Sequence, residues 1–154
     1  MMLHKDKQSG ATLIEVAITV LILATSLLAM ATLQTRSLQF NQSAFMRSQA
    51  NIHAYDIMDR MRINRGIDSE NRLAAYTADY DDDPSGNALA TADVADWRER
   101  LEKDLPDGEG RIACVQATRI CTISIRWKDS SLFDEEDEDQ AAEAVSEFNF
   151  TSVI

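Results

Sequence analysis

An apolar run near the N-terminus constrains the fold of this chain more than any other stretch. Residues 11–33 contain one charged residue, Glu15, and neither glycine nor proline. At a rise of ~1.5 Å per residue, an α-helix of this length is about 35 Å long and can cross a bilayer core of roughly 30 Å. The run therefore predicts a membrane-spanning helix.

The single acid in this run needs a partner or a route to water. A carboxylate in hydrocarbon costs on the order of 2.5 to 3.5 kcal/mol, so Glu15 either reaches the headgroups from the helix start or pairs with a cation. Lys5 and Lys7 precede Gly10 and are typical of a leader whose positive charge stays in the cytoplasm. A cut after Gly10 frees the α-amino group of Ala11. That amine can meet Glu15 of a staggered neighbouring copy, which predicts assembly into a filament.

These residues also carry a family resemblance. Lys7-Gln8-Ser9-Gly10 followed by Ala11-Thr12-Leu13-Ile14-Glu15 resembles the class III leader and cleavage motif of type IV pilins and type II secretion pseudopilins. The resemblance implies cleavage by a prepilin peptidase between Gly10 and Ala11, and N-methylation of Ala11. It also implies that Glu15 neutralises the N-terminus of a neighbouring subunit. Ala11 replaces the usual phenylalanine and Thr32 the frequent proline of major pilins, which favours a minor pilin.

An ordinary secretory leader is the competing interpretation of the same run. Ala29-Met30-Ala31 matches a small-x-small cleavage site, and cleavage after Ala31 would release a soluble periplasmic domain. However, the apolar region before that site is about twenty residues long rather than 7 to 15, and it contains Glu15. The prepilin interpretation therefore predicts a leader at residues 1–10, a transmembrane and assembly helix at residues 11–33, and a periplasmic domain at residues 34–154.

The second half of the long helix is predicted from residues 34–63, which again lack glycine and proline. Apolar residues recur there at spacings of three and four, so one face should pack on a core; they are Met46, Ala50, Ala54, Ile57, Met58 and Met61. The segments 48–50 and 54–65 are similar to the end of this helix in the minor pilins called type IV pilus modification protein PilV. A shorter helix is expected at residues 94–105, with Asp93 as its N-cap, and its run from Trp97 to Leu105 again resembles that family.

A small antiparallel sheet is expected near the C-terminus. Residues 121–128 alternate strictly between apolar and polar, which is typical of a half-buried strand. Residues 111–116 can form its partner, and a turn at Ala117-Thr118 would place Cys114 opposite Cys121. In an oxidising periplasm this pair predicts a disulfide. With a last strand around Phe148 and Phe150, the fold class is α+β: a pilin-like long N-terminal helix packed on a small antiparallel sheet.

Two acidic stretches and the overall charge bear on partners. The net charge of −11 disfavours nucleic acid. Residues 79–86 and 134–139 are expected to be solvated loops, with calcium binding or contact with a basic subunit as alternatives.

His53 and the two cysteines do not make a four-ligand zinc site. No nucleophile motif or phosphate-binding loop appears, so we expect neither an enzyme nor a cofactor.

The function that these features favour is a minor pilin that primes or caps type IV pilus assembly within a tip complex. The chain would be a single-pass protein of the bacterial inner membrane with its C-terminal domain in the periplasm, or at the pilus tip. Its expected partners are prepilin peptidase, other minor pilins, the major pilin and a tip adhesin. The alternatives are a type II secretion pseudopilin and a membrane-anchored calcium-binding module of the periplasm.

Overall fold

The computed structural model describes residues 12–64, 72–84, 86, 88–129 and 145–154. Within these residues the fold is α+β, with three helices and a three-stranded antiparallel sheet. The elements are α1 (Leu13–Asn64), α2 (Arg72–Ala75), α3 (Ala88–Asp104), β1 (Glu109–Val115), β2 (Ile120–Lys128) and β3 (Val145–Val153). The chain divides into two compact units, residues 1–40 and residues 41–154, and the second is called the head below.

Helix α1 begins at a capped first turn. The backbone N–H of Glu15 donates to the carbonyl oxygen of Thr12 at 3.0 Å and also approaches the Thr12 hydroxyl at 3.4 Å. Thr12 is thus the N-cap, and Glu15 holds the N3 position. As predicted, α1 then continues without a break, here to Asn64.

Polar side chains of the apolar segment satisfy themselves within the helix. Five hydroxyl groups donate to backbone carbonyl oxygens three or four residues earlier: those of Thr19, Thr25, Ser26, Thr32 and Thr35. A hydroxyl bonded in this way needs no external partner, so its burial in an apolar environment costs less than that of an unpaired group. The segment stays compatible with hydrocarbon despite its threonines.

The core of the head lies between α1, α3 and the sheet. All six apolar positions predicted to pack on the second half of α1 are buried. From α3, Val94, Trp97 and Leu101 complete this core. The indole N–H of Trp97 donates to the backbone carbonyl of His53 at 3.0 Å, which joins the two helices through a buried hydrogen bond.

The predicted start of the second helix was wrong. α3 begins at Ala88, five residues before Asp93. The preceding stretch Ala88-Leu89-Ala90-Thr91-Ala92 is rich in the best helix former, and Ala90 is fully buried. Asp93 is therefore inside the helix, where its carboxylate accepts a 2.6 Å hydrogen bond from the Tyr76 hydroxyl instead of capping.

The sheet follows the predicted register at the cysteines. Cys114 lies opposite Cys121, and the two form a disulfide with a Cα–Cα distance of 4.1 Å. The connecting turn covers residues 116–119, and Arg119 adopts a left-handed φ of 55°. The two predicted turn residues, Ala117 and Thr118, are the centre of this longer turn.

The two faces of the sheet differ in chemistry. The inner face packs on the helices through Ile112, Ile123, Ile125 and Trp127, with Phe148 and Phe150 half-buried beside them. On this face Gly110 leaves the space that Trp97 and Leu101 occupy, since an added Cβ would overlap both side chains. The outer face carries polar side chains, including a 3.1 Å contact between the hydroxyls of Thr122 and Thr151.

Candidate assembly surface

The first half of α1 is an exposed apolar surface. Its most apolar stretch of 18 residues has a mean hydropathy of 2.4, and none of these residues is buried. By length and composition it is the one helix of the described residues that is able to cross a membrane. More than half of the surface of many large apolar side chains is exposed, as at Leu13, Ile14, Val20, Leu21, Leu23, Leu27, Leu28 and Leu33. Surfaces of this size occur where a protein meets lipid or another protein.

Glu15 is the one carboxylate among residues 12–33, and its side chain is exposed. At the N3 position its carboxylate lies near the positive end of the helix dipole, a favourable place for a negative side chain. No ion pair joins it to another of the described residues. The helix start therefore tolerates the charge, while the carboxylate remains open to a partner. The cleavage and methylation positions, Gly10 and Ala11, lie outside the described residues.

A second exposed apolar feature lies on α1 within the head. Phe45, Ile52 and Ile63 are 60%, 56% and 80% exposed. Their spacings of seven and eleven residues equal about two and three helical turns, so they share one side of the helix. The buried residues of the same segment occupy other positions of the helical repeat, so this stripe faces away from the core. It is a surface on which another helix can pack.

Charged residues also join α1 to α3. The Arg60 guanidinium lies 3.1 Å from Asp56, 3.6 Å from Asp93 and 2.8 Å from Asp96. Burial lowers its pKa, but the hydrogen bonds to Asp96 and Asp56 raise it more, so the net shift is upward. The hydrogen bond from Arg60 holds the pKa of Asp96 below its usual range. The i,i+4 pairs Asp56–Arg60 and Asp96–Arg100 were the available sequence signal, and we did not predict this cluster.

Buried polar contacts at two other points have structural roles. His53 lies 3.0 Å from Asp104, and its ring is mostly buried. At the end of β2, the fully buried Asp129 accepts a 2.8 Å hydrogen bond from Ser43, and the Ser146 hydroxyl is 3.5 Å away. These contacts join elements far apart in sequence. Because no short-range pattern indicates such partners, the buried role of Asp129 was not predicted from the sequence.

Arg98 holds the first acidic stretch, residues 79–83, through backbone carbonyl oxygens. The Arg98 guanidinium donates to the carbonyl oxygens of Gly110 at 3.2 Å and Asp82 at 2.8 Å, and to that of Asp79. Within the described residues, no group of three or more His, Cys, Asp or Glu side chains is placed to hold a metal ion. The calcium alternative thus gains no support from Asp79–Asp83. The second acidic stretch, residues 134–139, lies outside the described residues.

An open groove of ≈ 740 Å³ lies beside α3 and the ends of β1 and β2. Its walls carry both signs of charge, and the two basic residues of β2 that line it are paired. Arg126 binds Glu109, and Lys128 lies 2.6 Å from Asp107. The Arg126 guanidinium also stacks 3.9 Å from the ring centroid of Tyr80. A ligand in this groove would have to compete with existing partners.

Comparison of the chain with protein-family models, curated proteins and solved structures finds no match. The residues themselves must therefore carry the functional argument. Of the predicted site residues, the structure joins Cys114 to Cys121 and places Glu15 in the first turn of α1. Glu15 belongs to the first compact unit and the disulfide to the second, so each is tested by itself.

Proposed function

We propose that this protein is a minor pilin of a type IV pilus, stored in the inner membrane and recruited into the filament from there. The observation that carries this proposal is the exposed apolar half of α1 with one carboxylate in its first turn. Lipid can cover this surface before assembly, and neighbouring helices can cover it in the filament. The resemblance of residues 7–15 to a prepilin processing site gives the class of filament.

In this proposal Glu15 selects the stagger between neighbouring subunits. An unpaired carboxylate and an unpaired amine are both costly in an apolar bundle, so the arrangement that pairs Glu15 with the N-terminus of Ala11 is favoured. The helix start does not require this charge, because glutamine suits the N3 position as well as glutamate does. The helix-start role and the assembly role of Glu15 can therefore be separated.

The head supplies the specific part of the subunit. The Cys114–Cys121 disulfide links β1 to β2 in its sheet, which suits the oxidising periplasm. The stripe of Phe45, Ile52 and Ile63 offers a second apolar contact for a neighbouring subunit beyond the membrane. A head of this kind would prime or cap the filament together with other minor pilins and the major pilin, and it could carry a tip adhesin.

The processing step is tested by intact mass and N-terminal sequencing of the protein from its native membrane. A mature chain that begins at N-methyl-Ala11 is the expected result. A chain that begins at Thr32 would identify an ordinary secreted domain and would remove the assembly role of Glu15.

The charge of Glu15 is tested by Glu15→Gln beside the control Thr12→Ala. Glu15→Gln keeps the N3 capping group but removes the charge, so processing and membrane level should stay normal while incorporation into pili falls. Thr12→Ala removes the cap, at about 1 kcal/mol of helix stability, and keeps the charge. Immunoblots of sheared pili and of membranes measure both quantities. Normal incorporation of the glutamine variant would refute charge pairing.

A further inference from the structure

The two edge strands of the three-stranded sheet differ in how their outward backbone groups are hydrogen-bonded. On the β1 edge, Ala78 and Ile112 exchange two backbone hydrogen bonds of 3.0 Å, so part of that edge is covered. β3 forms the other edge, and among the described strands it pairs with β2 alone. Across the part of the chain that the structure describes, no backbone group outside β2 bonds to the backbone of β3. Among the described residues the β3 edge is therefore open.

The hydrogen-bond pattern shows which backbone groups point outward from this edge. The N–H of Ile154 donates to the carbonyl of Arg119 at 2.9 Å, so Ile154 points toward β2. Backbone groups alternate in direction along a strand, so those of Glu147, Asn149, Thr151 and Val153 point away from β2. The same alternation makes the Cys114–Cys121 pair a non-hydrogen-bonded one, in agreement with its short Cα–Cα distance.

β3 also lacks the devices that usually protect an edge strand. Its nine residues, Val-Ser-Glu-Phe-Asn-Phe-Thr-Ser-Val, contain no proline, lysine or glycine and one charge, Glu147. Long edges of this kind are templates for pairing with another strand. Unpaired backbone groups along a regular edge are satisfied best by a further strand.

The rows of side chains across the sheet indicate what that strand would carry. On the outer face, Glu109 pairs with Arg126 and Arg126 with Glu147, so the charge alternates and a cation fits next to Glu147. Two rows further along the same face, the row of Thr122 ends with Thr151, which favours a β-branched residue opposite it. On the inner face, Phe150 contacts the half-exposed ring of Tyr55 at 4.7 Å, and an apolar side chain fits beside them.

We propose that the β3 edge binds an extended segment of a partner protein as a fourth, antiparallel strand. The segment would have a basic residue opposite Glu147 and apolar side chains at the alternate, inward positions. Self-pairing of two β3 strands about Asn149 would set Glu147 opposite Thr151 and supply no cation, so a different partner fits better. The proposal rests on the sheet alone and goes beyond the role of α1 in a filament.

Amide hydrogen exchange of the full chain in detergent micelles tests the edge directly. The probe is the synthetic peptide acetyl-Thr-Val-Thr-Val-Thr-Val-Lys-amide, and the control is the same peptide with alternate amides N-methylated. In the free chain, the amides of Glu147, Asn149 and Thr151 should exchange fast, whereas those of Phe148 and Phe150 are protected. The first peptide should protect the three fast amides, and the methylated one should not.

Other outcomes of this exchange experiment overturn the proposal. Protection of the three amides before peptide is added would mean that the edge is already covered. Protection that rises with protein concentration alone would identify a second copy as the partner. Fast exchange at millimolar peptide would mean that the edge does not bind a strand of this pattern.

Two pairs of variants separate the backbone and charge contributions. Thr151→Ala removes the hydroxyl and the β-branch but keeps the outward N–H, whereas Thr151→Pro also removes that N–H, and an edge position tolerates proline. Only the proline variant should lose peptide binding at least about tenfold, since it loses a ladder hydrogen bond and its ring occupies the place where the peptide would pair. Glu147→Gln should weaken binding of the lysine peptide about two- to fivefold and abolish discrimination against a Lys-to-Glu peptide. Equal binding by the alanine and proline variants would refute strand addition.

Discussion

The close contact between Gly110 and Trp97 gives the sharpest test of how the head is packed. In Gly110→Ala the new methyl group would overlap the outer ring atoms Cη2 and Cζ3 of Trp97 and lie 2.7 Å from Cδ1 of Leu101. Both side chains are fully buried, so neither can move into solvent. Overpacking of a core costs about 1–3 kcal/mol, and replacing glycine within a strand returns roughly 0.5–1 kcal/mol. Because the overlap is severe, the upper half of the overpacking range applies, about 2–3 kcal/mol, and we expect a net loss of about 1–2.5 kcal/mol.

The assay is a double-mutant cycle with Trp97→Phe, measured by thermal unfolding of the full chain in detergent. Phenylalanine lacks the outer ring, so it removes the overlap, but it also loses the hydrogen bond to His53 and leaves a cavity. Each single change should lower the stability, and the double variant should lose at least about 1 kcal/mol less than the sum. Arg111→Ala, on the outer face of the same strand, is the control and should change stability by less than about 0.5 kcal/mol.

Two results would refute this account of the core. A Gly110→Ala variant as stable as the parent protein would mean that Trp97 does not occupy the space beside the glycine. Additive losses in the double variant would mean that the two residues do not touch.

Three further predictions concern other contacts of the head. Burial, and then a hydrogen bond to Asp93, raise the pKa of Tyr76, so folding stability should fall as the pH rises above about 10. In unfolding measured against pH, Tyr76→Phe should flatten that decline, and it should cost about 1–2 kcal/mol of stability at neutral pH. The hydrogen bond from Arg60 lowers the pKa of Asp96, so its contribution is present above about pH 4 and is lost as the pH falls through the lowered value; acid unfolding of Asp96→Asn should lack this step. Reduction of the disulfide should cost about 2.5 kcal/mol or less in denaturant unfolding, because the loop it closes is short.

Periodic patterns predicted the parts of the fold in which buried positions recur at the period of the helix or strand. The six buried positions of α1 and the alternation of β2 are of this kind, and the register that joins Cys114 to Cys121 follows from a short turn. Such features depend on neighbours within a few residues or on one repeated face, so the sequence displays them directly.

Features that depend on distant partners escaped prediction. The carboxylate of Asp93 accepts a hydrogen bond from the Tyr76 hydroxyl, which another segment supplies, and the sequence around Asp93 does not indicate that partner. Ser43 and Asp129 are 86 residues apart, and nothing near either of them indicates the other. The open edge at β3 likewise depends on the order of strands in the sheet, which strand patterns alone do not give.

Arg98 has a consequence for how this surface can diverge. It binds the Asp79–Asp82 segment through backbone carbonyl oxygens, and every amino acid supplies that group. Substitutions of the aspartates can therefore change the charge and shape presented to solvent while the chain keeps its path. Substitutions can therefore change what this loop recognises while the domain stays folded, whereas a change at Arg98 itself would remove two of the hydrogen bonds that hold the loop.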